Sequence, residues 1–529
     1  IDDSINHNMM NRKLSIFIFS CFLLAGNAYP QKNIEKGLAQ ITPELVKKYV
    51  YFLASDSMKG RNTPSAELDK AADYLANEFA AMGIKPVNGT YFQNIPMCSR
   101  NLDVNNCVLK IERGGNSREF SLKTDYIPFE ETGSGKISAG IVFAGYGITA
   151  PEYNYDDYKG LDVKGKIVLV LKHEPGEKDP KSPFDGEKDT KYSALRTKLD
   201  IAKQHGAVGV MVVTDPLNHL MLTPQGYPWP GLSKYLPQDN LPIVMCDKND
   251  QLPFVQVGES VIQFLFGSVD SLKTIQKTID EKLLPLSFAI SNSVCELRTE
   301  VKIQEYTARN VVGYFEGKNP KLKSELLVIG GHYDHVGFMK KHKEGEDYIF
   351  NGADDNASGT AGVLATAKAF SACKSKPDRS VLFILFAGEE KGLYGSDYYC
   401  RNPLFPLDKT VAMLNMDMIG RNGKDSLEIE GEKQNPDLYL LVKTEAEKIG
   451  LKLIAPKEDL FGRSDHYNFY KNGISAMDIT SGLHKDYHTV RDNPETIDPE
   501  KIALISRLIF SSAWIITNDG KYYKTVKLK

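Results

Sequence analysis

The sequence lacks any strong imbalance of charge. Its 65 Lys and Arg residues nearly balance its 68 Asp and Glu residues, so the formal net charge is only −3 over 529 residues. Proteins that bind nucleic acid or an anionic membrane usually carry a basic excess. The composition therefore gives no reason to expect nucleic acid as a partner, and it leaves the oligomeric state open.

Cysteine is also scarce, and no two cysteines form a close pair. The seven residues are Cys21, Cys98, Cys107, Cys246, Cys295, Cys373 and Cys400. Their spacing excludes the paired thiolates of a zinc knuckle or a redox motif. An exported protein can oxidise some of them to disulfides, but the spacing assigns no pairing.

Long apolar runs are missing except near the start of the sequence. The basic residues Arg12 and Lys13 precede the apolar residues 14–26, and small residues follow. This pattern predicts a signal peptide at residues 9–28, too short for a membrane span, and hence a secreted or periplasmic protein. A buried N-terminal helix is a less favoured interpretation. A lipid anchor at Cys21 is disfavoured because Phe19 and Ser20 make a poor lipidation box.

The remaining chain is long enough for more than one hydrophobic core. Residues 65–83 have the apolar stripe of a packed amphipathic helix, with a Ser at the start and a Gly at the end. From about residue 107, short β-rich segments are broken by Gly, Pro and Asp, for example at 141–144, 166–170 and 208–213. The polar residues 174–191 between two of them predict a surface loop.

From residue 324 onward, apolar strands alternate with helical segments. The predicted strands are 326–329, 381–386, 411–414 and 474–479, and residues 357–370 form a helix. This alternation predicts an α/β fold with a mostly parallel, mixed sheet and helices on both faces. Ligands of such sheets bind beyond the carboxyl ends of the strands.

Polar clusters follow these strands directly. In chain order they are His332 with Asp334 and His335, Asp354 with Asp355, Glu389 with Glu390, Asp417, and His488. Each cluster alone is weak evidence, since Asp354 and Asp355 also suit a helix N-terminus and adjacent acids are usually solvated. Together on one sheet edge, they would be costly to bury without cations.

Imidazoles and carboxylates are ligands that zinc accepts, and a shared carboxylate is how two-metal hydrolases are built. The absence of Cys from the set disfavours soft metals, and the imidazoles disfavour calcium. One of the two adjacent glutamates can bind metal while its neighbour accepts a proton. Asp334 is placed to accept the imidazole N–H of His332. Tyr487 can donate to a developing oxyanion, although a packed aromatic residue is an equal alternative.

These motifs resemble the di-zinc exopeptidases, a family that includes bacterial leucyl-type aminopeptidases, glutamate carboxypeptidase and, more remotely, glutaminyl cyclase. The matching stretches are residues 330–335, 352–359, 386–396, 415–418, 464–466 and 487–489, and Lys59-Gly60-Arg61 resembles the family's opening segment. The resemblance implies two zinc ions per chain and peptide substrates.

The resemblance also assigns roles. It implies that Asp355 bridges the two metals, followed by a cis peptide bond to Asn356. One zinc then binds Asp355, Glu390 and His488, and the other binds Asp355, His332 and Asp417. Glu389 is the implied general base, and Asp465 and His466 resemble residues of the substrate pocket.

The β-rich region resembles a protease-associated (PA) domain at residues 163–170 and 202–210. The implied organisation is a peptidase domain at 29–106 and 296–529 and a PA insertion at 107–295. A PA domain is expected to restrict access of substrates.

Three alternatives to an aminopeptidase remain open. A carboxypeptidase of the glutamate carboxypeptidase type needs cations for a free carboxylate, for which Arg463 and Lys485 are candidates. A glutaminyl cyclase would use the same metals. A non-catalytic binding protein, similar to the transferrin-receptor ectodomain, is disfavoured because the ligands and the base are present.

Overall fold

The computed structural model describes residues 34–219, 222–224, 229, 232, 243–246, 251–456 and 458–526. The predicted signal peptide at 9–28 and Cys21 lie outside these residues. Within the described part of the chain, every helix is too short or too polar to span a bilayer.

The described elements are numbered along the chain. The strands are β1 Phe92–Leu102, β2 Val108–Arg113, β3 Asn116–Phe120, β4 Tyr126–Pro128, β5 Gly135–Ala144, β6 Thr149–Ala150, β7 Tyr155–Asp156, β8 Ile167–Leu171, β9 Gly209–Val213, β10 Ile243–Met245, β11 Phe254–Val257, β12 Ser287–Thr299, β13 Val301–Phe315, β14 Leu326–His332, β15 Ser380–Phe386, β16 Thr410–Met416, β17 Ser426–Glu430, β18 Lys452–Leu453 and β19 Ala476–Thr480. The α-helices are α1 Pro43–Leu53, α2 Ala66–Ala81, α3 Leu195–Gln204, α4 Glu259–Phe266, α5 Val269–Lys282, α6 Gly359–Ala372, α7 Tyr394–Arg401, α8 Pro436–Lys448, α9 His466–Lys471 and α10 Pro499–Ile516.

The chain divides into two compact units. The flanking unit combines the residues up to Met97 with those from Tyr306 onward, and the inserted unit is Cys98–Glu305. The sequence predicts the insertion at 107–295, within the inserted unit.

The flanking unit is built on a mixed sheet. Its strands follow the order β1-β13-β15-β14-β16-β19-β17-β18. The four central strands, which are β15, β14, β16 and β19, pair in parallel. The strands β13 and β17 flank them and pair antiparallel. Parallel strands are buried on both faces, in agreement with the fully buried β14, β15 and β16.

Helices cover both faces of this sheet. In β15, the ring of Phe383 contacts Phe79 of α2 and Phe370 of α6 at centroid distances of 6.2 and 5.9 Å. Phe386 of the same strand contacts Phe469 of α9 at 6.1 Å. Side chains alternate between the faces of a strand, so these two phenylalanines point in opposite directions. The predicted α/β class with helices on both faces is confirmed.

The inserted unit has its own sheet and core. Its strand order is β3-β2-β12-β5-β8-β9-β11-β4, with parallel pairing from β5 through β8 and β9 to β11. Cys98 and Cys246 form a disulfide with a Cα separation of 5.3 Å. The predicted surface loop at 174–191 contains no helix or strand. It is nevertheless partly internal, because Glu174 and Phe184 are buried.

Candidate metal centre

The predicted site residues come together at the carboxyl ends of the parallel strands of the flanking unit. His332 ends β14, Glu389 and Glu390 follow β15, Asp417 follows β16, His488 lies in the loop after β19, and Asp355 lies in the segment Ala353–Ser358 that leads into α6. Loops at this edge converge because parallel strands all end there.

Asp355 lies at the centre of the cluster and is almost fully buried. Its Oδ1 is 3.3 Å from Nε2 of His332, and its Oδ2 is 3.0 Å from Nε2 of His488. The two oxygens of one carboxylate therefore face two different imidazoles, which is the arrangement required of a bridging ligand. The peptide bond from Asp355 to Asn356 is cis, as the family resemblance implied.

Two sets of donor atoms share Asp355. The first set contains His332 and Asp417, with 3.2 Å between Nε2 and Oδ1. The second contains His488 and Glu390, with 3.1 Å between Nε2 and Oε2. Within each set the donor atoms lie within 4.8 Å of one another. The resemblance implied these residues as the ligands of two zinc ions, and their donor atoms lie close enough together for that role.

His335 also joins the second set, although sequence analysis gave it no role. Its Nδ1 lies 2.8 Å from Oε1 of Glu390 and 3.6 Å from Oδ2 of Asp355. The residue is fully buried. The only signal in the sequence was its place in the same post-strand motif as His332.

Glu389 is close to the ligands but belongs to neither set. Its Oε2 is 3.8 Å from Nε2 of His332, and 10% of its side chain is exposed. Burial, and then the nearby carboxylates of Asp417 and Glu390, raise the pKa of Glu389 well above its usual range. A carboxylate with high proton affinity beside the donor atoms can act as a general base.

Asp334 connects the proposed base to the first ligand set. Its backbone carbonyl lies 3.2 Å from Nδ1 of His332, and its carboxylate lies at 3.7 Å. The carboxylate accepts hydrogen bonds from the hydroxyl of Thr63 at 2.8 Å and the backbone N–H of Glu389 at 3.2 Å. The backbone carbonyl of Asp334 can therefore fix the His332 ring, while its carboxylate holds the Glu389 backbone.

Arg61 supports the two loops that carry the predicted ligands His332 and Asp355. Its fully buried guanidinium donates to the carbonyls of Tyr333 at 2.9 Å, Asn351 at 2.8 Å and Gly352 at 3.0 Å, and also contacts the carbonyl of Leu53. Gly60 before it has φ +67°, and a Cβ there would lie 2.2 Å from the carbonyl oxygen of Gly337. The turn therefore requires glycine.

A cavity with about 400 Å³ of empty volume opens beside the cluster. It is lined by Asp355, Glu389, Asp417, Met418, Leu460, Arg463, Ser464, Asp478, Thr480, Leu483 and Tyr487. The predicted pocket residues Asp465 and His466 are fully buried, and their neighbours Arg463 and Ser464 form the wall. Lys485 is exposed and does not line this cavity.

Buried donors that lack hydrogen bonds indicate where a cation fits. Oδ2 of Asp355 and Nε2 of His488 have no hydrogen-bond partner of acceptable geometry, although they lie 3.0 Å apart. Burial opposes protonation of His488, but the adjacent carboxylates of Asp355 and Glu390 raise its pKa to about 10. A metal ion would replace such protons, so the nitrogen and oxygen donors present fit zinc.

Comparison with known proteins identifies the flanking unit. Residues 310–513 match the profile of peptidase family M28. This part of the chain therefore resembles peptidase family M28. Residues 135–252 match the PA domain, which confirms the predicted family with an inserted PA domain.

Proteins similar to this chain include named peptidases. Aminopeptidase YwaD of Bacillus subtilis (strain 168) is 28% identical over 231 residues, covering 42% of this chain and 47% of YwaD. Leupeptin-inactivating enzyme 1 of Streptomyces exfoliatus is 33% identical over 192 residues, covering 34% of this chain and 38% of that enzyme. The chain thus spans about half or less of the length of these relatives. The solved aminopeptidase from Aneurinibacillus sp. strain AM-1 is 20% identical, with a TM-score of 0.46 and 94% and 97% of the two chains covered.

The hydroxyl of Ser464 contacts Asp417, one of the predicted metal ligands. It donates to Oδ2 of Asp417 at 2.7 Å and is buried. We expect Ser464→Ala to weaken zinc binding by about 10–100-fold, since this is the usual cost of removing a hydrogen-bond partner of a metal ligand. Competition with a chromogenic chelator measures the affinity.

Ser371→Ala is the matched control. The Ser371 hydroxyl bonds to a carbonyl of its own helix, α6, at the end remote from the site. Equal zinc affinities for the two variants would contradict a positioning role for Ser464.

Proposed function

We propose that the protein is a zinc-dependent aminopeptidase that hydrolyses N-terminal residues from peptides. The observation that carries this proposal is the pair of donor sets sharing Asp355, with Glu389 beside them and outside both. Family membership and the aminopeptidases among the named relatives support it.

His332, Asp355 and Asp417 would hold one zinc ion, and Asp355, Glu390 and His488 the other. When bound, zinc polarises a carbonyl group and lowers the pKa of water to about 7. Glu389 accepts the proton from the attacking water and returns it to the leaving amine. Asp334 holds the backbone of Glu389 in place through the 3.2 Å hydrogen bond.

The cavity wall offers more hydrogen-bond acceptors for an amine terminus than cationic groups for a carboxylate terminus. Four carboxyl side chains line the cavity, those of Asp355, Glu389, Asp417 and Asp478, against one guanidinium, that of Arg463. Met418, Leu460 and Leu483 add apolar surface, which suits an apolar first side chain.

We also propose that the protein is exported. The signal pattern at residues 9–28 supports this location. The disulfide between Cys98 and Cys246 is a second support, because disulfides persist mainly in oxidising compartments.

A substrate panel tests the proposal. Purified protein is assayed on aminoacyl-anilides with a free amine and on N-blocked dipeptides, before and after chelation. We expect cleavage of the free-amine substrates only, fastest for apolar residues and lost with the chelator. Cleavage of the blocked dipeptides instead would indicate a carboxypeptidase, and cyclisation of N-terminal glutamine a cyclase. Inactivity on every substrate with zinc bound would favour a binding protein.

A further inference from the structure

A second cluster of metal-ligating side chains lies in the inserted unit, separate from the M28 site. It comprises His173, Glu177, Asp215 and His219, whose donor atoms all lie within 4.8 Å of one another. His173 and Glu177 follow β8, whereas Asp215 and His219 follow β9. Because β8 and β9 are parallel neighbours, the loops after them meet at one edge of the sheet.

The four side chains point toward one another. Nε2 of His219 is 3.1 and 3.2 Å from the two oxygens of Glu177. Nδ1 of His173 is 3.8 Å from Oε2 of Glu177 and is in direct contact with Oδ2 of Asp215. The two imidazole rings stack with centroids 4.4 Å apart. Among the described residues, no Lys or Arg lies within salt-bridge distance of Asp215, whose basic neighbour is His173.

The surrounding residues hold these donors in place. Asp215 is fully buried, and its carboxylate accepts the backbone N–H of Lys172 at 2.9 Å and of His173 at 3.1 Å. The side-chain amide of Asn218 donates to Glu177 at 3.1 Å. The buried ammonium of Lys198 donates to the carbonyl of His173 at 2.6 Å. Supporting hydrogen bonds of this kind orient the ligands of metal sites.

We propose that His173, Glu177, Asp215 and His219 form a structural site for a divalent transition metal, of which zinc fits best. Bond lengths of 2.0–2.1 Å to nitrogen and oxygen place the ligands of a tetrahedral zinc about 3.3 Å apart. The distances of 3.1–3.8 Å between His219, Glu177 and His173 match this value. Two imidazoles disfavour calcium and magnesium.

The site belongs to the structural rather than the catalytic type. Four protein ligands complete a tetrahedron and leave no open position for substrate or water. The metal would tie the segment after β8 to the loop after β9 across a sequence separation of 42 residues. It would thereby fix the polar segment 174–191, which contains no helix or strand.

The test is zinc stoichiometry in the full-length protein. Wild type, His219→Gln and Glu177→Gln are stripped with chelator, reloaded with zinc, desalted and measured by mass spectrometry. We expect one zinc fewer per chain in each of the two variants, with aminoacyl-anilide hydrolysis retained. His205→Gln is the matched control, because His205 is an exposed histidine of the same unit outside the cluster.

A second measurement separates this site from the M28 site. In a chain carrying Asp355→Asn, we expect one zinc to remain, and we expect His219→Gln in that background to remove it. Reloading should also raise the melting temperature of the Asp355→Asn chain but not of the double variant. If His219→Gln and Glu177→Gln bind as much zinc as wild type, the cluster is only a network of hydrogen bonds and the proposal is wrong.

Discussion

Replacing Glu389 with Gln is expected to lower kcat by about 10²–10⁴-fold, the usual contribution of a general base. The amide has nearly the same shape as the carboxylate but cannot accept the proton of the attacking water. Glu389 belongs to neither donor set, so the variant should keep the zinc content of wild type. Steady-state hydrolysis of an aminoacyl-anilide, with zinc measured on the same sample, checks both expectations.

Glu432→Gln is the control for this variant, because Glu432 is an exposed glutamate of the same unit. It should keep wild-type activity. A Glu389→Gln protein with full zinc and nearly full activity would remove Glu389 from the mechanism. One that lost its zinc would show instead that Glu389 is a ligand.

Replacing Asp355 with Asn is expected to abolish zinc binding in the M28 site and, with it, peptide hydrolysis. In wild type, Oδ1 of Asp355 faces His332 of one donor set and Oδ2 faces His488 of the other. The side-chain amide of Asn has only one oxygen, so it cannot offer an oxygen ligand to both zinc ions. The loss of affinity should exceed the roughly 100-fold that the removal of a supporting hydrogen bond can cost. Glu390→Gln provides the comparison, since Glu390 belongs to one set only.

Asp408→Asn, at an exposed position of the same unit, controls for a general effect of the substitution. Circular dichroism should show that the Asp355→Asn chain is folded. If this chain kept two zinc ions in the M28 site, Asp355 would not bridge them.

The strands that carry the site could be predicted from the sequence, because an apolar run and the polar residues that bound it are adjacent in the chain. The run at 381–386 became β15, Ser380–Phe386, and the run at 411–414 became β16, Thr410–Met416. Apolar runs of this length bounded by polar residues are typical of buried strands. Ligand types that directly follow such strands, such as Asp417, could therefore be placed at one edge before the structure was known.

The supporting contacts could not be predicted, because they join distant parts of the chain. Thr63 and Asp334 are 271 positions apart, and Ser464 and Asp417 are 47 apart. Neither pair leaves a periodic pattern. The pairing of Cys98 with Cys246 depends in the same way on the folded inserted unit. His173 precedes the polar segment 174–191, whose composition predicts only a solvent-exposed loop. Its contacts with Asp215 and His219, in the loop after β9, could therefore not be predicted either.

The guanidinium of Arg61 connects the two parts of the flanking unit that the inserted unit separates in the sequence. It reaches carbonyls 272, 290 and 291 positions later in the chain, beyond the whole inserted unit. During synthesis, Arg61 leaves the ribosome before the loops that it supports have been translated. The site can therefore assemble only after the whole inserted unit has been translated. A fragment beginning at residue 310, where the family match begins, would contain every proposed ligand and yet lack the residue that holds two of the ligand loops together.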